Sequence, residues 1–146
     1  MIPTSRRILT INGGSSSIKF ATFEAGGWLR PILAGEIDRI GLAGSTLRVR
    51  KSASPGEDVS RPVAVPDHAA AVAALASWLE ENGGREGLVA IGHRVVHGGP
   101  RYSAPVRITP EVMAELRRLG PFDPEHAPAE IQLVEAANDV SVQLRT

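Results

Sequence analysis

The stretch that decides the fold is Arg7–Glu24, which reads RILTINGGSSSIKFATFE. Apolar and polar residues alternate over Arg7–Asn12 and again over Ile18–Glu24, a period-two pattern that is typical of half-buried strands. The Gly/Ser cluster Gly13–Ser17 lies between the two runs. Two strand-like runs joined by such a short, glycine-containing segment predict a β-hairpin.

Local signals in the rest of the chain predict an α/β domain. Asp67 is suited to cap a helix over His68–Asn82, and Thr109, followed by proline and glutamate, predicts a helix that runs to about Leu119. From this order of elements we expect a mixed sheet of five or more strands with flanking helices. The other predicted elements are strands over Ile32–Ile40, Ser45–Lys51, Val63–Val65 and Leu88–Val96, a loop over Ser52–Arg61, a helix over Ala129–Ala137 and a candidate last strand over Val140–Leu144.

The composition narrows the classes of function. The 146 residues suit one domain, and 16 Lys+Arg balance 16 Asp+Glu, which argues against a nucleic-acid or anionic-membrane surface. The absence of cysteine excludes disulfides, thiolate zinc sites and a cysteine nucleophile. The sequence shows neither an export signal nor an apolar run of about 20 residues, so we expect a cytoplasmic protein.

The hairpin loop has the composition of an anion-binding site. Glycines let a loop backbone approach a phosphate closely, while the serine hydroxyls and Lys19 add hydrogen-bond donors and a positive charge. Asn12, at the end of the first strand, can offer a carbonyl oxygen to Mg²⁺. The segment lacks the Gly-Lys-Ser/Thr of a Walker A loop and the Gly-x-Gly-x-x-Gly of a dinucleotide site. The alternative is a flexible Gly/Ser turn beside a solvated lysine.

Three segments, in order along the chain, carry a resemblance to a known family. They are Thr10–Phe20 (TINGGSSSIKF), Ile91–Gly99 (IGHRVVHGG) and Pro124–Pro128 (PEHAP). Together they resemble the motifs of acetate kinases and of the related propionate and butyrate kinases, and the resemblance extends to about Asn138. It implies a ribonuclease H-like domain of the actin-type ATPase kind, in which a hairpin loop holds ATP phosphates. It also implies ATP- and Mg²⁺-dependent phosphorylation of a short-chain carboxylate, such as acetate, to an acyl phosphate.

The resemblance also assigns roles to individual residues. Arg94 would bind the substrate carboxylate, because a guanidinium matches a carboxylate in a bidentate manner, provided that it lies on the same side of the sheet as the loop. The alternative for Arg94 is a salt bridge at a strand end. The other implied roles are Mg²⁺ coordination by Asn12, contact with the ATP phosphates by Gly14, Ser15, Ser17 and Lys19, the methyl pocket of the acceptor at Val96, and the substrate cleft at His126, for which a packed histidine is the alternative.

A metal site at His93 and His97 is a further interpretation. The two are four residues apart, the spacing that zinc proteases use on a helix with a glutamate between. On a Val-rich strand, however, four positions span about 13 Å, and no glutamate intervenes here. We therefore expect no metal at these histidines, and we expect Gly98-Gly99 to permit a turn.

Two features depart from the family pattern. Glu125 stands where the family has a pocket leucine, and a carboxylate about 5 Å from a bound carboxylate costs on the order of 3 kcal/mol at an effective dielectric of about 20. Glu125 must therefore turn away, pair with Arg94 or Arg101, or indicate a different substrate. The chain also ends at Thr146, before the family's Asp-Thr-Ala-Phe-His segment, its catalytic histidine and arginine and its second nucleotide loop.

We therefore expect residues 1–146 to be the N-terminal phosphate- and substrate-binding domain of such an enzyme, incomplete, with the second domain absent and the isolated chain inactive. The expected partners are ATP or ADP and a small carboxylate or acyl phosphate, with no nucleic acid and no membrane. Whether the chain forms a homodimer is not decided by the sequence. The alternatives are a remnant that binds phosphate, nucleotide or another chain without catalysis, and a non-functional truncated product.

Overall fold

The computed structural model describes residues 6–53, 56–83, 86–94, 104–122, 124–125 and 127–144, with side chains up to residue 137. The strands are β1 (Arg6–Gly13), β2 (Ile18–Gly26), β3 (Trp28–Asp38), β4 (Thr46–Lys51), β5 (Val59–Pro62) and β6 (Leu88–His93). They form a six-stranded sheet in the order β5-β4-β3-β2-β1-β6. β1 and β6 are parallel and the other neighbouring pairs are antiparallel, so both the hairpin and the mixed sheet are confirmed.

The hydrophobic core lies on one face of this sheet. Side chains alternate along each strand, so Leu9 and Ile11 of β1 point to the same face as Ile18 and Phe20 of β2. The helices α1 (His68–Glu81) and α3 (Ala127–Leu144) cover this core face. The buried core residues are Leu9, Ile11, Ile18, Phe20, Leu33, Ile37, Ile40, Leu47, Val49, Val65, Ala71, Val72, Leu75, Trp78, Leu79, Leu133 and Ala137.

Side-chain caps fix the starts of two helices where the sequence predicts them. Asp67 Oδ1 accepts a hydrogen bond from the amide of Ala70 at 2.8 Å, at the start of α1. Thr109 Oγ1 accepts from the amide of Val112 at 3.2 Å, at the start of α2 (Pro110–Leu119). A short 3-10 helix over Gly120–Phe122 follows α2, and α2 packs against α3. No helix in the described ranges is both long enough and apolar enough to cross a membrane.

Two predictions about the segment between β4 and α1 are wrong. β5 overlaps the end of the stretch expected to be a loop, because its backbone pairs with β4 in a register that sets Thr46 opposite Pro62. Val63–Val65 is not a strand. The two valines of this segment contribute to the hydrophobic core without forming a strand. Val65 is buried in the core, and Val63 is partly buried against it.

The candidate last strand over Val140–Leu144 is also wrong, because α3 continues to Leu144. No glycine or proline occurs between Ala129 and Leu144 to end the helix. Alternation of apolar and polar residues over only five positions is weak evidence for a strand when no residue before it ends the helix. β6 agrees with the first part of the strand predicted over Leu88–Val96, whose last two residues lie outside the described ranges.

Candidate functional site

The predicted site lies where β1 and β6 end side by side. The two strands are parallel, with Ile11 beside His93, and the amide of Arg94 donates a hydrogen bond to the carbonyl oxygen of Ile11 at 3.1 Å. The loop of residues 14–17, hereafter the phosphate loop, follows β1 at the same edge of the sheet. The parallel pairing therefore brings Arg94 close to a loop that is distant from it in sequence.

Asn12, Lys19 and Arg94 share the face of the sheet that the helices leave exposed. Asn12 and Lys19 are opposite each other in the ladder between β1 and β2. A Cβ atom on Gly92 would lie 3.9 Å from Thr10 Cγ2, so positions 10 and 92 point to one face. Asn12 and Arg94 follow two residues later on that face. With strands about 4.8 Å apart, the backbones of Lys19 and Arg94 are separated by about 10 Å, with Asn12 between them.

The charges of Lys19 and Arg94 are available to a ligand. Arg94, Asn12 and Lys19 form a row across three neighbouring strands. This row continues across the sheet to Glu36 on β3 and Arg48 on β4. Glu36 is engaged by Arg48, with Oε1 and Nη1 3.5 Å apart. Among the residues that the structure describes, no carboxylate forms a salt bridge with Lys19 or Arg94. Both side chains are exposed, so as far as the described residues go, the site presents two positive charges that no carboxylate pairs with.

Three of the four carbonyl oxygens of the phosphate loop are engaged in hydrogen bonds. Gly14 O lies 2.8 Å from Nε2 of His68, and Ser16 O accepts from the amide of Ile40 at 2.8 Å. Ser17 O accepts from the amide of Gly14 at 2.7 Å. Within the described parts of the chain, no acceptor takes the three serine amides of the loop. Engaged carbonyls beside available amides are the arrangement in which a turn binds an anion.

The two glycines where β1 meets the phosphate loop are required by close approach rather than by backbone conformation. Neither Gly13 nor Gly14 has φ in the left-handed region. A Cβ atom on Gly13 would lie 2.2 Å from Cδ1 of Leu133 in α3, and one on Gly14 would lie 2.9 Å from Oγ of Ser17. The first glycine therefore lets α3 pack on the end of β1, and the second makes room for the Ser17 hydroxyl.

His93 lies on the core face, behind the site. It is beside Ile11 and alternates with Arg94, which follows it on the chain. Burial lowers the pKa of His93 from 6.5 to about 4, so the imidazole is neutral at pH 7. Among the described residues, no three His, Cys, Asp or Glu side chains lie close enough to hold a metal ion, and His97 lies outside those residues.

The remaining site predictions fall partly outside the described residues. Val96 and His126 are among the residues that are not described, so their roles stay predictions. Glu125 is exposed and, among the described residues, forms no salt bridge with Arg94. Sequence reasoning missed the contact of His68 with Gly14, since the two are 54 positions apart and no local pattern links them.

Comparison with known proteins identifies the family of the chain. The model of the acetokinase family matches residues 7–146. This chain belongs to the acetokinase family. The acetate kinase of Deinococcus radiodurans is 40% identical over 137 residues, and that of Streptomyces griseus is 45% identical over 129 residues. These alignments cover 93% and 86% of this chain but 33% and 31% of the two relatives, so the chain spans about a third of their length.

Solved structures of two kinases share the acetokinase-family fold seen here. The acetate kinase of Porphyromonas gingivalis matches with a TM-score of 0.81 at 33% identity, over 92% of this chain and 34% of that one. A propionate kinase from Francisella tularensis matches with a TM-score of 0.81 at 27% identity and the same coverage. These neighbours confirm the expected fold class, a ribonuclease H-like mixed sheet of the actin-type kind with flanking helices.

Proposed function

We propose that this chain forms the phosphate-binding and acceptor-binding part of a kinase that transfers the γ-phosphoryl group of ATP to a short-chain carboxylate, with acetate as the first candidate. The observation that carries the proposal is the row of Asn12, Lys19 and Arg94 beside the available amides of the phosphate loop. The acetate kinases and the propionate kinase to which the chain is similar support this substrate class.

The phosphate loop and Lys19 would bind the nucleotide phosphates. The amides and hydroxyls of Ser15 and Ser17 donate hydrogen bonds to phosphate oxygens, and the ammonium group of Lys19 offsets their charge. The amide of Gly14 already donates to Ser17 O, so Gly14 contributes the close approach of its backbone rather than its N–H. The donors are fixed before the ligand arrives, so little reorganisation accompanies phosphoryl transfer.

Arg94 would hold the acceptor. Its guanidinium binds a carboxylate through two parallel hydrogen bonds, which fixes both the position and the orientation of the acid. A separation of about 10 Å from Lys19 leaves room for the transferred group between the two cations. Val96, two residues further on, would share the face of Arg94 if the extended backbone continued, and His126 would line the cleft.

The residues present fit a magnesium ion that is bound mainly by its phosphate ligands. Asn12 is exposed at the end of β1, in register with Lys19, and its side-chain oxygen is a hard neutral ligand. Mg²⁺ in nucleotide sites keeps several waters and takes only one or two ligands from the protein, so a single amide oxygen suffices. When bound, the ion offsets negative charge on the phosphates during transfer.

The same reasoning sets the expected behaviour of the chain alone. Phosphoryl transfer depends on charged groups placed around the transferred phosphoryl, and the chain matches only about a third of each relative. We propose that it binds Mg·ATP but turns over little or no substrate by itself. We further propose a cytoplasmic location, with nucleotide and a small carboxylate or acyl phosphate as its partners.

Calorimetry with Mg·ATP tests the phosphate site. Lys19→Ala should weaken binding by about 10- to 100-fold, the effect of losing one charge-assisted hydrogen bond. Lys51→Ala is the matched control, because Lys51 is the chain's other lysine and lies on β4, away from the phosphate loop. It should bind Mg·ATP like the unmodified chain.

A coupled assay with acetate tests the remaining part of the proposal. Turnover near that of a full-length acetate kinase would refute the expected inactivity of the isolated chain. Mg·ATP binding that Lys19→Ala weakens, without turnover, is the result expected. Binding that Lys19→Ala leaves unchanged would place the nucleotide elsewhere and overturn the proposed site.

A further inference from the structure

α1 begins against the phosphate loop, and one hydrogen bond joins them. His68 is the first residue of α1 and is 7% exposed, and its Nε2 lies 2.8 Å from the carbonyl oxygen of Gly14. A carbonyl oxygen can only accept, so Nε2 must carry the hydrogen. The proposed reaction gives this buried side chain no other task.

This bond engages the carbonyl oxygen that a closed hairpin would use as its acceptor. Gly14 and Ser17 face each other at the end of the ladder, and the amide of Gly14 donates to Ser17 O at 2.7 Å. In a tight two-residue hairpin the reciprocal bond, from the Ser17 amide to Gly14 O, completes the pair. Here Gly14 O bonds to His68 instead, and within the described parts of the chain the Ser17 amide has no acceptor.

We propose that His68 is a positioning residue that keeps the phosphate loop open, since its bond to Gly14 O leaves the Ser17 amide for a phosphate oxygen. The inference rests on the proposed function for the identity of the ligand, but the effect on the loop does not depend on it. Because His68 is the first residue of α1, the helix holds its imidazole in place beside the loop.

A second carbonyl of the loop is held in a similar way. Ser16 O accepts from the amide of Ile40 at 2.8 Å, a backbone bond from the turn that follows β3. Only proline at position 40 would remove that donor, and it would also restrict the backbone, whereas an ordinary side-chain substitution removes the bond from His68. His68 is therefore the point at which the open state of the loop can be tested.

Two substitutions separate a hydrogen-bonding role of His68 from a packing role. His68→Phe keeps a planar ring of similar volume but has no donor. His68→Gln places an amide N–H at nearly the reach of Nε2 and keeps the donor. Asp67→Ala is the matched control, because it removes the helix cap without touching the bond to Gly14.

The experiment uses the full chain labelled with ¹⁵N. Hydrogen exchange of the Ser17 amide is measured without ligand, and Mg·ATP affinity is measured by calorimetry. His68→Phe should slow Ser17 exchange by about tenfold, as the turn closes, and should weaken Mg·ATP binding by about tenfold. His68→Gln should restore both to within about threefold, and Asp67→Ala should lower stability while leaving Ser17 exchange unprotected.

Each outcome decides the inference. Unchanged Ser17 exchange in His68→Phe overturns it, and so does a His68→Gln variant that behaves like His68→Phe. If the unmodified chain fails to bind Mg·ATP but His68→Phe still protects Ser17, the proposed function fails and the role of His68 in the loop stands. If His68→Phe does not fold, the long-range ¹⁵N–¹H spectrum of the unmodified chain decides, because a His68 tautomer with hydrogen on Nδ1 alone is incompatible with the bond.

Discussion

Ile11 and Asn12 are neighbours on β1, yet they lie on opposite faces of the sheet in opposite surroundings. Ile11 is 2% exposed beneath the helices, whereas Asn12 is exposed on the face that carries Lys19 and Arg94. The same alternation places His93 on the core face of β6 and Arg94, next in sequence, on the exposed face. One set of strands therefore supplies both stability and ligand binding, and the pleat keeps the two separate.

Gly35 on β3 should give the largest effect on the core face. A Cβ atom there would lie 2.3 Å from the carbonyl oxygen of Arg48 and 2.6 Å from Cζ of Phe20. The backbone of a neighbouring central strand cannot yield without breaking the ladder, so Gly35→Ala should lower the free energy of unfolding by about 3 kcal/mol. Urea denaturation followed by circular dichroism measures the change.

Gly92 is the matched control for Gly35, since it lies within β6 on the exposed face. The nearest atom to a Cβ at this position is Thr10 Cγ2 at 3.9 Å, an ordinary contact. Gly92→Ala should change the free energy of unfolding by less than about 0.5 kcal/mol, or raise it slightly by restricting the unfolded chain. Equal losses for the two alanine variants would show that the faces do not differ as described.

His93 should make stability depend on pH in mildly acidic solution. Its pKa in the folded chain is lowered to about 4 from 6.5, so between these values the unfolded chain binds a proton that the folded chain does not. The stabilising contribution is therefore complete above pH 6.5 and is lost as the pH falls towards 4. The loss should approach 1.4 kcal/mol per pH unit, seen as a falling urea midpoint.

His93→Gln isolates this effect from the titration of carboxylates in the same range. Glutamine does not ionise, so its stability curve should be flatter than that of the unmodified chain between pH 6.5 and 4.5. The difference between the two curves is the measurement. Parallel curves would mean that the imidazole is protonated equally in the folded and unfolded chains, and His93 would then not belong to the core face.

The parts of the fold that could be predicted from sequence depend on short-range signals. The hairpin follows from two alternating runs around Gly13–Ser17, and two helices follow from the caps at Asp67 and Thr109, all within a few residues. β5 could not be predicted, because it is a strand only through its pairing with β4. The full length of α3 was missed since a brief alternation near its end imitates a strand.

The residues of the site also differ in whether short-range sequence signals predict that they lie together. Asn12 and Lys19 are neighbours because the hairpin pairs them, so their juxtaposition follows from sequence. Arg94 joins them only through the parallel pairing of β6 with β1, which no local signal predicts, although the motif resemblance assigned Arg94 to the substrate site. The bond from His68 to Gly14 had no signal of either kind, because a lone histidine after a cap is most often simply packed.

The smallest effect on stability should come from substituting Arg48, which lies on the exposed face and contributes ion pairs rather than core packing. Arg48 is 56% exposed and lies 3.5 Å from Glu36 and 3.8 Å from Asp38, so Arg48→Ala should cost no more than about 0.5 kcal/mol of stability. It should nevertheless weaken Mg·ATP binding by about two- to threefold, because the released Glu36 lies opposite Lys19 and can compete for its charge. Arg50→Ala removes an equal charge from the same strand outside the row and should leave affinity unchanged. If calorimetry finds the two variants alike, net charge alone acts on the ligand, and the row across the exposed face has no special role.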